Sequence, residues 1–271
     1  MSELPPITSL RNPRIVQARK LAQRKHRQRQ GRFLAQGGQA LHMALDAGHR
    51  ADEVFYCSDL FVGPQAPLIL QRFAQTQAQL VPVSAPVLEV LSERSISGGI
   101  VAAFPLFNPA LEDLPIGPTD LVVVLDRPQN PGNLGTLIRT ADAVGATAVI
   151  AVEPCVDPFD PLTVRASMGS LFNIPLTRTP QSEELLPFLQ SRGLRPLAAL
   201  PNTGQLWHQA DWQGGMALLL GNEAQGLAPE LHPAIEQTVH LPMSSRTDSL
   251  NVAVVGGVLM YAWAQANTTA H

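Results

Sequence analysis

Residues 121–152 read LVVVLDRPQNPGNLGTLIRTADAVGATAVIAV. The opening run Leu121-Val122-Val123-Val124-Leu125 is unbroken and apolar, the composition of a strand buried on both faces of a parallel sheet. Gly132 to Val144 predicts a helix, and Thr147 to Val152 a second strand. The alternation continues with a short helix over 162–168, a strand over 174–176 and a helix over 182–191. Strands follow at 195–200 and 216–220, then a helix over 229–235, a strand over 238–241 and a closing helix over 250–266. Strands alternating with helices imply an α/β fold with a parallel sheet covered on both faces. Ligands in such folds sit at the carboxyl ends of the strands.

Upstream the pattern changes. Pro105, Pro109, Pro115 and Pro118 punctuate a stretch without periodicity, so residues 106–119 read as a linker between a first part, 1–105, and a second, 120–271. The first part predicts a small α/β unit. A helix spans 13–29, with Asn12 as its cap and Pro13 at its first position. A short strand at 33–35 precedes a helix over 38–47 that Gly48 ends. Then come a strand at 53–57, a helix at 66–77, a strand at 81–83, a helix capped by Ser84 running to Arg94, and a strand at 100–104. There is no internal repeat and no low-complexity tract.

Composition bounds the function. Of 271 residues, 45% are hydrophobic and 15% charged, enough to build packed cores. The two cysteines, Cys57 and Cys155, have no metal-ligand spacing, which argues for a reducing compartment and against a zinc site or a disulfide framework. The first residues lack the apolar core of a signal peptide, and the apolar run 252–264 is broken by Gly256 and Gly257 and is shorter than a membrane span. The expectation is a cytoplasmic protein with no membrane and no metal. Net charge is −3, yet nine of the 19 Lys and Arg residues fall between Arg11 and Arg32, with no acid among them. Arg11, Arg14, Arg19, Lys20, Arg24, Lys25, Arg27, Arg29 and Arg32 thus read as a phosphate-binding arm, the alternative being a solvated basic helix face. With Phe33 alone nearby, base stacking is not indicated.

Three segments of the second part place glycine and polar residues where a strand should simply turn. The first runs from Asn130 to Asp142, where Gly132 and Gly135 permit close backbone approach at a helix start. Asn133 and Arg139 are six residues apart, so their alignment requires Asn133 to lie in the loop before the helix. Taken alone, Asn133 serves as a helix cap and Arg139 as a partner of Asp142. The second, Gly221-Asn222-Glu223-Ala224-Gln225-Gly226-Leu227, ends an apolar strand in a polar loop, where an ordinary capped turn remains the alternative. The third runs from Leu241-Pro242-Met243 to Ser249-Leu250-Asn251-Val252, in which Asp248 or Ser249 also suits a helix cap, and Met243 suits packing. The dinucleotide pattern GxGxxG and the phosphate-binding GKT or GKS are absent, which disfavours a nicotinamide or other nucleotide-dependent enzyme.

Together and in this order, the three segments resemble the three motifs of the SpoU/TrmH family of the SPOUT superfamily, RNA 2′-O-ribose methyltransferases. Asp160-Pro161 and Val164-Arg165-Ala166-Ser167-Met168-Gly169 between them also look like the family. The first part is similar, more weakly, to the substrate-binding domain of members that act on ribosomal RNA. The stretch 31–37 carries that likeness, although Gln36-Gly37 stands where the family usually has Glu-Gly. The resemblance implies a parallel-sheet SPOUT domain with a C-terminal trefoil knot, preceded by a small α/β RNA-binding domain. It implies S-adenosylmethionine as cofactor, held by Gly221, Asn222, Leu241, Met243 and Leu250, with Gly221 leaving room because a Cβ would intrude. It gives Arg139 the activating role, which we read as stabilising developing alkoxide or fixing the adjacent phosphate, because a guanidinium rarely gives up its proton. Asn133, Glu223, Ser249 and Asn251 would orient Arg139 and the ribose, and Arg165 joins the arm as an RNA contact. A homodimer is implied, with the last helix contributing. Ribosomal RNA is the expected substrate and transfer RNA the runner-up. A non-catalytic RNA-binding protein that retains the fold would have needed to lose Arg139, Asn251 or the Gly221 loop, and all are present.

Overall fold

The structure is a computed structural model and describes residues 5–93, 98–180, 182–244 and 250–267, without the side chains of residues 182–184 and 234. The chain divides into two compact units, 1–107 with 157–173, and 108–156 with 174–271. Residues 157–173, read from sequence as part of the second domain, thus belong with the first.

In the first unit, α1 (Pro13–Lys20) starts as expected, with Asn12 accepting the Arg14 N–H at 2.9 Å. The helix expected over 13–29 is broken. After Leu21, Ala22 and Gln23 a separate α2 (Arg24–Gln30) begins, and Gly31 closes it with φ +64°. Then follow β1 (Arg32–Gln36), α3 (Gly38–Asp46), β2 (Glu53–Tyr56), α4 (Gln65–Ala74), β3 (Gln79–Pro82), α5 (Ala85–Leu91) and β4 (Ile100–Pro105). The sheet order is β1-β4-β2-β3, with only β2 and β3 parallel. Ile15, Phe55, Val87 and Leu88 pack on one side of this unit. Elsewhere a cluster of phenylalanines admits the later segment: Phe33 lies 4.7 Å from Phe159, and Phe104 lies 4.8 Å from Phe172, centroid to centroid.

The second unit begins with β5 (Leu121–Asp126), α6 (Pro131–Ala143) and β6 (Ala148–Val152). The chain then passes through α7 (Pro161–Ala166) of the first unit. It returns for β7 (Leu176–Thr179), α8 (Ser182–Ser191), β8 (Arg195–Ala199), β9 (Gln205–Leu206), β10 (Met216–Leu220), β11 (Gln237–His240) and α9 (Val252–Asn267). The helix expected over 229–235 is a 3₁₀ segment, Pro229–Ala234, because Pro233 lacks the N–H an α-helix needs there. All seven strands are parallel, in the order β7-β6-β5-β10-β8-β11-β9. Every residue of β5, β6 and β10 is buried, which is why these strands read as continuous apolar runs. α9 lies close to α6 and β10: a Cβ at Gly256 would come within 2.5 Å of Leu137 and 2.7 Å of Leu220. Because β5 and β10 are neighbours, the loops that leave their carboxyl ends are brought side by side.

Candidate active site

A cavity of about 760 Å³ opens at the carboxyl ends of β5, β8, β10 and β11. The stretches that follow these strands wall it: residues 129–131 with Asn133, then Leu200 and Pro201, Gly221 to Ala224, and Leu241 with Met243. Leu250, Asn251, Val252 and Val255 also line it, with Leu220 and Val239 from the strand ends.

The β10 loop is shaped by two devices. Asn222, buried, spends its side chain on the loop itself. Its amide donates to the Arg127 carbonyl at 2.7 Å, and its Oδ1 accepts the N–H groups of Ala224 and Gln225 at 2.9 and 3.0 Å. The backbones of Asn222 and Gly226 close the turn with a reciprocal pair of hydrogen bonds. The second device is Asp126, buried at the end of β5, which accepts the Ala228 N–H at 2.6 Å and holds Arg127 through both carboxylate oxygens at 3.0 Å. Arg127 reaches on to Gln225 and to the Gly226 carbonyl. Hydrogen bonding to Asp126 raises the Arg127 guanidinium above its ordinary value. Gly221 is required by this closure. A Cβ there would lie 2.6 Å from the Gly226 carbonyl carbon and 2.7 Å from the Leu227 nitrogen. A Cβ at Gly221 would therefore intrude on its own loop.

Across the mouth of the cavity runs a hydrogen-bond relay. Asn133 Nδ2 donates to Glu223 Oε1 at 3.0 Å, and Asn251 Nδ2 donates to Asn133 Oδ1 at 3.0 Å. The other oxygen of Glu223 accepts the Gln129 N–H at 3.3 Å. Partial burial pushes the Glu223 carboxyl up. The amide of Asn133 and the backbone N–H groups of Glu223, Gln129 and Asn130 outweigh it, and the group sits below its ordinary value. Asn133 lies within α6, not in the preceding loop. The cap is Asn130, whose Oδ1 accepts the Asn133 N–H at 3.0 Å. Capping by Asn130 frees the Asn133 side chain to face the cavity.

Of the residues expected to form the site, Asn133, Gly221, Asn222, Glu223, Leu241, Met243, Leu250 and Asn251 all line this one cavity. Arg139 does not. It is exposed on α6, 600° of helix rotation beyond Asn133, and among the described residues the relay does not reach it. Ser249 lies outside the described residues. Sequence reasoning missed Asp126, Arg127, Gln129 and Asn130. An acid that ends a wholly buried strand was a legible signal for Asp126.

In the expected RNA-contacting set, Arg11, Arg14, Arg19, Arg24, Lys25 and Arg29 are exposed, and Lys20, Arg32 and Arg165 are partly so. Arg14 and Arg32 share Glu53 at 2.7 and 2.8 Å, and Arg165 meets Glu93 at 3.1 Å. Arg27 is a correction: it is 1% exposed and bound to Asp157, so it cannot touch RNA. Among the described residues no His, Cys, Asp and Glu group is arranged to hold a metal ion, and no helix is long and apolar enough to cross a membrane. Cys57 and Cys155 are both buried, and no disulfide joins them.

Comparison with known proteins agrees with this geometry. Residues 120–261 match the model of the SpoU rRNA methylase family, and residues 12–102 match the MRM3-like substrate binding domain. An uncharacterised tRNA/rRNA methyltransferase of Synechocystis is 32% identical, over 96% of this chain and 93% of its own. The 23S rRNA (uridine(2479)-2′-O)-methyltransferase of Streptomyces viridochromogenes is 30% identical, over 94% of this chain and 90% of its own. The crystal structure of an AdoMet-bound rRNA methyltransferase from Sinorhizobium meliloti superposes with a TM-score of 0.86 at 32% identity, covering 96% of this chain and 97% of that one. The chain belongs to the SpoU rRNA methylase family.

Proposed function

We infer that this chain transfers the methyl group of S-adenosylmethionine to a ribose 2′-hydroxyl of RNA, with ribosomal RNA as the substrate. The observation that carries this reading is the single cavity onto which the loops after β5, β10 and β11 converge, with apolar walls and an amide–carboxylate relay at its mouth. Relatives matching 94% of this chain are named as 23S rRNA 2′-O-methyltransferases, which favours ribosomal over transfer RNA.

The cavity suits the cofactor. Its volume lies within the roughly 300–1,000 Å³ of small-molecule sites, and Leu220, Val239, Leu241, Leu250 and Val255 offer apolar walls to an aromatic base. Backbone groups of Gly221, Leu241 and Leu250 would read the edge of that base, with Met243 packing beside it. When bound, S-adenosylmethionine supplies a methyl group on a positively charged sulfur, an electrophile that must be approached in line. The protein contributes position. Glu223 takes one hydrogen of the Asn133 amide, and Asn133 takes one hydrogen of the Asn251 amide. Each amide nitrogen carries a second hydrogen, so the relay presents donors to ribose oxygens with their orientation already fixed. Arg139, exposed on α6, is assigned to the phosphate flanking that ribose, and Ser249 to the same orienting set. Arg11, Arg19, Arg24, Lys25 and Arg29 are assigned to other phosphates of the RNA.

Three finer features complete the reading. A C-terminal trefoil knot belongs to this reading through the family resemblance, and the place of β10 between β5 and β8 is compatible with it. α9 leaves Val254 54% and Tyr261 58% exposed, which supports a homodimer through this helix. A cytoplasmic location belongs to the same reading. The deciding experiment incubates the protein with labelled S-adenosylmethionine and ribosomal RNA, then maps the product. Label on a ribose 2′-oxygen is expected, and label on a base, or none, refutes the reading.

A further inference from the structure

One cation of the basic arm does not face solvent. Arg27 is buried, and all three of its guanidinium nitrogens have partners. Nε donates to Asp157 Oδ2 at 2.9 Å, and Nη2 lies 2.8 Å from the same oxygen. Nη1 donates to the carbonyls of Leu21 and Ala22, both at 2.9 Å, and Asp160 stands 3.7 Å from Nη2. A guanidinium is a rigid planar fork, so groups bonded to several of its nitrogens at once lose their relative freedom.

What Arg27 joins is specific. Leu21 and Ala22 form the elbow between α1 and α2, where the sequence predicted a continuous helix. Nothing in the local sequence breaks that helix, since leucine, alanine and glutamine are all good helix formers. The two carbonyls turned onto Arg27 account for the break. Asp157 opens the segment 157–173, and its second oxygen accepts the Phe159 N–H at 3.0 Å. Phe159 in turn packs on Phe33 of β1, just after α2. The elbow is thus fixed on both sides, and with it the spacing between exposed Arg19 on α1 and exposed Lys25 and Arg29 on α2.

We propose that Arg27 is a positioning residue for RNA. It touches no phosphate, yet it sets the angle of the elbow so that Arg19, Lys25 and Arg29 meet backbone phosphates together. The proposal rests on the reading of the arm as an RNA contact, and the test separates the two.

RNA affinity is measured against salt concentration, where the slope of log affinity counts phosphate contacts at about 0.7 per contact for single strands and 0.9 for duplex. Lys25→Ala and Arg29→Ala should each lower the slope by about one contact. Arg27→Lys should lower it by at least the sum of these two and raise KM for RNA about tenfold, with kcat and S-adenosylmethionine affinity unchanged. Asp157→Asn should move in the same direction by less, and it carries the test if Arg27→Lys fails to fold. A merely structural role would lower the melting temperature and leave the slope of the folded variant at the wild-type value, and that result overturns the proposal. Unchanged slopes in Lys25→Ala and Arg29→Ala would instead remove the arm reading on which it rests.

Discussion

Arg27 and Glu223 each anchor a chain of hydrogen bonds to charged or amide partners, one in each unit, but the first chain is sealed and the second is open. Around Arg27 the acceptors are two backbone carbonyls and carboxylate oxygens, and the guanidinium is lost from the surface. Around Glu223 the partners lie in the wall of a cavity, and two amides still hold hydrogens to offer. A saturated buried charge can only hold architecture, because a ligand would have to displace a partner. A half-satisfied relay beside a cavity has capacity left for a substrate.

Breaking the sealed chain should have the largest effect on stability. Arg27→Ala leaves Asp157 buried without its cation, and removal of one partner of a buried pair costs about 3–5 kcal/mol. Chemical denaturation should show a loss of that order. A loss below about 1 kcal/mol would mean that the pair is not sealed.

Breaking the open chain should do the reverse. Glu223→Ala should lower kcat/KM about a hundredfold, because it frees Asn133 and Asn251 to rotate, while the melting temperature barely moves. Acid should act on the same group. Its carboxyl sits below the ordinary 4.5, so the charge that orders the relay is present above that value and is lost as pH falls through the lower folded one. Any acid limb of activity due to Glu223 therefore lies below pH 4.5 and is absent from Glu223→Gln.

Gly221→Ala tests the loop that carries the relay. The added methyl meets backbone rather than a flexible side chain, so the loop must shift, at about 1–3 kcal/mol. Calorimetry should show weakened S-adenosylmethionine binding in a protein that remains folded. Unchanged affinity would show that the loop tolerates the shift.

The two chains also differ in how far the sequence revealed them. Asn133, Glu223 and Asn251 stand out because polar residues at the ends of apolar strands are locally odd, and three such oddities in one order are specific. Their convergence follows from a parallel sheet, in which β5 and β10 are neighbours and release their loops at the same edge. Which asparagine caps α6 was not legible, since Asn130 and Asn133 both suit the role and only the backbone decides. Arg27 was misread because its partner is 130 positions away. In a run of nine cations the buried one carries no local mark. The passage of residues 157–173 into the first unit was hidden for the same reason: Phe159 and Phe172 read as ordinary core residues, and what they pack against is a matter of tertiary structure.

The smallest expected effect belongs to a third polar group, His49, which lies between these extremes. Its ring is half-buried between Phe107 and Phe172, and Nε2 lies 3.0 Å from the Phe172 carbonyl oxygen, as a donor to it. Burial pushes the imidazole below its ordinary 6.5, and the bond to the carbonyl offsets this only in part. The unfolded chain therefore takes up a proton at this residue first as pH falls, so the contribution of His49 to stability is greatest above 6.5 and declines as pH drops from there towards the folded value. His49→Gln keeps a donor for the carbonyl and removes the titration. Between pH 8 and 5.5 the melting temperature of the wild type should fall more than that of the variant. Parallel profiles would mean that the ring is solvated in both states and contributes packing alone. A steeper fall in the variant would reverse the sign and place the protonated imidazole in the folded protein.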